Sequence, residues 1–203
     1  MPIIQVHHPA GRLDAGTKAD IARRLTDVLV TMEGGANTPK GRGFAWVMFH
    51  EIAAEDWWVG GRTDEHYVAS PGRFLVHVTI PEGYMNAAHK SYVHAAVTSA
   101  IVEASRSSAP PSTGVAADWP EGASILLVID EVTEGNWGAA GTAISIGSIA
   151  DSVGLPKDGE RFAWVRAYFA AKGRELVAAG YPTDMGTVLE EPAAGAARRD
   201  GET

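Results

Sequence analysis

Gln5-Val6-His7-His8-Pro9-Ala10-Gly11 returns 72 residues later as His77-Val78-Thr79-Ile80-Pro81-Glu82-Gly83. Both runs carry β-branched residues with alternating side chains and are stopped by proline and glycine, as a strand entering a turn is. A helix signal follows each. Asp14 can cap the first, and Ile21, Leu25, Val28, Leu29 and Met32 recur at helical spacing before Gly34-Gly35. Asn86 can cap the second, which runs to about Ala104 with Val93, Val97 and Ile101 on its stripe and Lys90 in register with Lys18. A second echo closes the repeat. Ala45 to Glu51, followed by Trp57-Trp58-Val59-Gly60-Gly61, returns as Ile125 to Glu131 followed by Trp137-Gly138-Ala139-Ala140-Gly141, now 80 residues on. The extra eight residues fall between helix and strand, where Ser105 to Ser124 contains a loop rich in proline and serine.

Each half therefore reads as a β-α-β unit, whose two strands are parallel and whose crossover is right-handed. One such unit cannot bury its sheet face alone. Two side by side make an α+β fold with one four-stranded mixed sheet and two helices on one face. The expected units are 1–72 and 73–150. A helical extension over 151–189 follows, with Phe162, Val165, Phe169 and Leu176 on one apolar face, and residues 190–203 read as a disordered tail.

Composition narrows the functional classes. The 203 residues are 45% hydrophobic and 21% charged, the balance of a globular protein. A formal charge of −8 disfavours nucleic acid, which needs basic surface. Cysteine is absent, which excludes disulfides and thiolate metal sites. No stretch approaches a membrane span and no basic segment precedes an apolar run at the start, so the expected compartment is the cytoplasm.

The chemistry is expected at the start of the chain. Removal of Met1 leaves Pro2 with a free secondary amine, and a terminal amine titrates unperturbed at about 7.7–8.0. Burial disfavours its ammonium form, so an enclosed Pro2 is a neutral base near pH 7.

Pro2, Gln5, Gly11 and Arg12 fall in the register of the opening strand and turn of the tautomerase superfamily, whose type member is 4-oxalocrotonate tautomerase. The segments Ala45 to Glu51 and Trp57 to Gly61 extend the resemblance over the first sixty residues, and the pattern is most similar to the cis-3-chloroacrylic acid dehalogenase group. The resemblance implies a general base or acid at Pro2 and a carboxylate-holding guanidinium at Arg12, which would also lower the Pro2 pKa by like-charge repulsion. It implies no cofactor, a small carbonyl or carboxylate substrate, and a homotrimer of fused units. Taken alone, Arg12 has a second reading as a surface loop residue.

Internal comparison limits the site to one per chain. Phe74 stands where Pro2 stands and is internal, so it offers no amine. Tyr84 takes the place of Arg12. Trp46 and Leu126 occupy the positions of the type enzyme's second arginine, so a monoacid, ketone or ester suits the site better than a diacid unless Arg62 or Arg73 compensates. Trp57 is either a pocket wall or core packing, and Tyr84 can line the first unit's pocket from the second. The dehalogenase's helix histidine, arginine pair, tyrosine and glutamate fall at or near Leu29, Pro81, Tyr84, Val128 and Ala139, which argues against water-activated dehalogenation. No metal is expected: the seven histidines lack ligand spacing, and His7-His8 point to opposite faces of a strand. The leading expectation is keto-enol proton transfer by Pro2. The alternatives are a Pro2-dependent hydratase, decarboxylase or dehalogenase-like enzyme on a 3-carbon acid, and a noncatalytic ligand-binding or structural trimer.

Overall fold

A computed structural model describes residues 2–32, 37–107, 109 and 111–181. The expected tail, 190–203, and the Gly34-Gly35 helix stop lie outside these residues. The first unit consists of β1 (Ile3–Pro9), α1 (Ala15–Met32), a short α2 (Pro39–Gly43) and β2 (Trp46–Ile52). The second consists of β3 (Phe74–Pro81), α3 (Ala87–Ser105) and β4 (Ile125–Val132). The strands form one sheet in the order β2-β1-β3-β4, with both within-unit pairs parallel and β1 antiparallel to β3. This is the mixed sheet that the repeat predicts.

The units match down to single side chains. Asp14 Oδ1 accepts from the Thr17 amide at 2.7 Å, and Asn86 Oδ1 accepts from the His89 amide at 2.9 Å, so both helices are capped at the expected positions. Lys18 reaches Glu51 and Lys90 reaches Glu131, each at 2.6 Å, tying each helix to the second strand of its unit. Gly11 and Gly83, at φ +70° and +72°, make the same left-handed turn after the first strand of each unit.

The core lies between the sheet and the two helices. Ile4, Val6, Val76, Val78 and Ile80 meet Ile21, Leu25, Leu29, Val93, Val97 and Ile101, all essentially inaccessible to solvent. Among the described residues no element packs on the opposite sheet face, and Trp46, Leu126 and Val128 are exposed there. Across this open face runs a row of polar rings: His50 stacks on His7 at 4.7 Å, His77 meets His7 edge-on at 5.9 Å, and His77 Nδ1 lies 2.9 Å from Asp130.

Three features go beyond the sequence reading. The connector before β2 contains α2, capped by Thr38, whose hydroxyl accepts from the Gly41 amide. The turn Gly138–Ala139 to Thr142–Ala143 forms a small hairpin, β5 and β6, matching the Val59 to Arg62 bridge of the first unit. A helix not foreseen, α4 (Ile146–Val153), begins with a Ser145–Ser148 capping box and buries Ile146, Ile149, Ala150 and Val153. It precedes the expected C-terminal helix α5 (Glu160–Ala178), which buries Phe162, Val165 and Phe169.

Candidate active site

The antiparallel contact between β1 and β3 decides which residues can share a site. Ile3 is paired with Thr79 and His7 with Leu75, so the start of β1 lies beside the end of β3. Because β2 runs parallel to β1 and β4 to β3, Pro2, the beginning of β2 and the ends of β3 and β4 all lie at one end of the sheet. The far end holds the turn after β1, the segment after β2 and the start of β3.

Pro2 is buried at the first end, and its carbonyl accepts the Trp46 amide at 3.2 Å. Trp46 itself projects on the open sheet face, about half exposed. Tyr84 belongs to the same end, in the turn after β3. Arg12, its counterpart, donates from Nη2 to the Pro71 carbonyl at 3.0 Å and lies against Gly72, just ahead of Phe74. Phe74 is the counterpart of Pro2. Tyr84, in the corresponding turn after β3, lies at the end of the sheet where β1 begins.

Arg12 is therefore separated from Pro2 of its own chain by the length of β1, roughly 20 Å at about 3.3 Å per residue. The expected like-charge effect of Arg12 on Pro2 has no basis within one chain. Trp57, Arg62 and Arg73 share the far end with Arg12. Arg62 forks onto the carboxylate of Asp64, an exposed pair. Arg73 is almost fully buried and donates to the carbonyls of Trp57, Thr63 and Asp64 and to Glu65, which makes it the clamp of the segment after β2. Trp57 is half-buried in that segment. Within one chain neither arginine lies at the Pro2 end of the sheet.

The first end contains ionisable groups that the sequence reading passed over. Glu134, just beyond β4, is buried, and Oε1 accepts the Ile146 amide at the start of α4 at 2.8 Å while Oε2 has no partner among the described residues. Burial, reinforced by the nearby charge of Glu82, pushes this carboxyl above its ordinary value. Burial also pushes Glu82 up, but hydrogen bonds from Lys172 at 2.6 Å and Tyr168 at 2.9 Å outweigh it and leave the Glu82 carboxyl lowered. Arg161, in the first turn of α5, donates to the Tyr84 carbonyl at 3.3 Å and stands over the Tyr84 ring, 5.1 Å from its centroid. Burial pulls its guanidinium below the usual arginine range, opposed by Tyr84. Neither residue stands in a sequence motif. Only the folding of the extension back over the turn after β3 brings Arg161 there.

The family model described as tautomerase enzyme matches residues 2–66, nearly the whole first unit. The chain has the fused tautomerase fold. A fused 4-OT solved as a wild-type asymmetric trimer matches with a TM-score of 0.53 at 18% identity, over 70% of this chain and 94% of that one. A second fused 4-OT, a symmetric trimer, gives 0.52 at 18% identity, over 72% and 97%. A member of the cis-3-chloroacrylic acid dehalogenase family gives 0.54 at 20% identity, over 73% and 88%. At these identities the likeness establishes the tautomerase fold. No curated protein sequence matches the chain.

Proposed function

We propose that this chain is a cofactor-independent enzyme that moves a proton between carbon and oxygen of a small carbonyl acid, with Pro2 as the group that carries it. The carrying observation is a buried Pro2 at the start of β1, within the segment that matches the tautomerase enzyme family. After removal of Met1, the neutral amine takes the enolic proton and the resulting ammonium returns one to carbon. Keto-enol interconversion of a 2-oxo acid is the default reaction. Arg12 can join Pro2 only from another copy of the chain, and a homotrimer belongs to this reading. The open sheet face supports it, since Trp46, Leu126 and Val128 otherwise stay in water.

The test is ketonisation of phenylenolpyruvate by the wild type and by Pro2→Ala, with intact mass confirming that Met1 is absent. The expected result is loss of most of the rate in Pro2→Ala. Equal rates for the two proteins refute the reading.

A further inference from the structure

We propose that Arg161 of the C-terminal extension is the cation that binds the substrate's carboxylate beside Pro2, in the place that Tyr84 leaves without a positive charge. The inference rests on the reading of Pro2 as the reacting group, and four observations carry it.

The first is position. Ile3 pairs with Thr79 across the antiparallel junction, so the turn after β3 that contains Tyr84 lies at the end of the sheet where Pro2 stands. Arg161 is fixed to that turn by its hydrogen bond to the Tyr84 carbonyl and by stacking on the Tyr84 ring. The fold thus delivers a guanidinium to the place the second unit's own sequence left aromatic.

The second is unused capacity. A guanidinium has five N–H donors in a planar fork that suits a carboxylate. Arg161 spends one of them on Tyr84, and among the described residues no carboxylate pairs with it. Of the other cations near this end, Lys172 pairs with Glu82, Lys90 with Glu131 and Lys157 with Asp151, while Arg166 donates to the Lys157 carbonyl.

The third is desolvation. Arg161 is half-buried, and burial is the largest influence on it. A partly dehydrated cation lacking a counter-ion gains more from a visiting anion than a solvated surface arginine does.

The fourth is rigidity. The helix that carries Arg161 is held to the turn after β3 at two further points. Tyr168 and Lys172 both donate to Glu82, and the Tyr168 ring lies so close to Gly83 that a Cβ there would come within 2.6 Å of its Cε1. The guanidinium is therefore placed before substrate arrives, which reduces the ordering cost of binding.

The experiment measures binding separately from turnover. Calorimetric titration with phenylpropiolate, and with its neutral amide, would be run on the full-length wild type, Arg161→Gln, Arg161→Lys and Arg12→Ala. In parallel, 3-bromopropiolate labelling followed by peptide mapping reports the Pro2 amine. Arg161→Gln is expected to weaken the carboxylate roughly ten- to a hundredfold, with the amide little changed and Arg161→Lys intermediate. Circular dichroism checks that the variants remain folded, and Arg161→Lys keeps the helix start cationic if Arg161→Gln does not fold. Carboxylate binding unchanged in Arg161→Gln, or no binding by the wild type, overturns the proposal while labelling at Pro2 leaves the reading of Pro2 standing. Loss of carboxylate binding in Arg161→Gln without labelling at Pro2 supports Arg161 as the anion site and sinks the role of Pro2.

Discussion

Gln5 and His77 face each other across the central antiparallel pair of the sheet, and each is the other's counterpart in the 72-residue repeat. A residue paired with its own repeat mate marks a local two-fold axis, here passing between β1 and β3. The axis brings the turn of each unit to the strand start of the other, so Tyr84, not Arg12, accompanies Pro2 within one chain.

Arg73 should matter for stability. It satisfies three backbone carbonyls and Glu65 from a nearly inaccessible position. Arg73→Met keeps much of the stem and removes every one of these bonds, at a cost of about 2–4 kcal/mol. Urea unfolding checks it, and an unchanged midpoint would show that the segment after β2 holds without the clamp.

Gly11 and Gly83 offer a matched pair. Both have positive φ, so alanine at either costs about 1–2 kcal/mol of backbone strain. Nothing lies within 4 Å of a Cβ at Gly11, whereas one at Gly83 runs into the Tyr168 ring. Gly83→Ala should therefore lower thermal stability more than Gly11→Ala and loosen α5, read as faster amide exchange in α5. Equal losses in the two variants would mean that α5 does not rest on this turn.

Glu134 gives a pH signature. Its folded-state pKa is raised above the ordinary 4.5, so its protonated form contributes stability present below that value and lost as pH rises through the folded value. Glu134→Gln keeps an oxygen for the Ile146 amide and cannot ionise. Its stability relative to wild type should grow as pH increases above 4.5, measured by denaturation at several pH values. A constant difference across that range argues against a buried, proton-holding carboxyl.

The open sheet face predicts assembly. Leu126 is 64% exposed there beside Val128. Light scattering should give about three chains per particle for the wild type, and Leu126→Glu should shift the population to monomers by placing a charge in the covered interface. A wild-type monomer at micromolar concentration contradicts the trimer.

Much of this fold is legible in the sequence because the repeat is written in residues whose roles are local. Asp14 and Asn86 cap helices within their own turns, and the strand runs alternate as strands must. Ser145 and Ser148 carry a readable helix start as well, obscured by the small residues around them. The site is less legible because it depends on how the units meet. A β-α-β pattern gives the direction of strands within a unit, and β1 alone parts Arg12 from Pro2; the antiparallel junction of β1 with β3, which brings the turn after β3 to the Pro2 end, comes from packing. Arg161 sits in a segment with no repeat mate, and Glu134 stands where the first unit has Ala54, so their places become visible only with the folded extension.

The row of rings across the open face has its own consequence. His7 is packed between His50 and His77, and burial, followed by the charges of those neighbours, lowers its pKa from 6.5. A histidine so depressed contributes stability that is present above 6.5 and drains away as pH falls through its folded value. In the proposed trimer, the copy that covers this face must accommodate that proton or separate. His8, the next residue along the strand, is fully buried on the helix side and is lowered by burial in the same way, so mild acidification loads both faces of β1, the core as well as the face on which the proposed trimer would close.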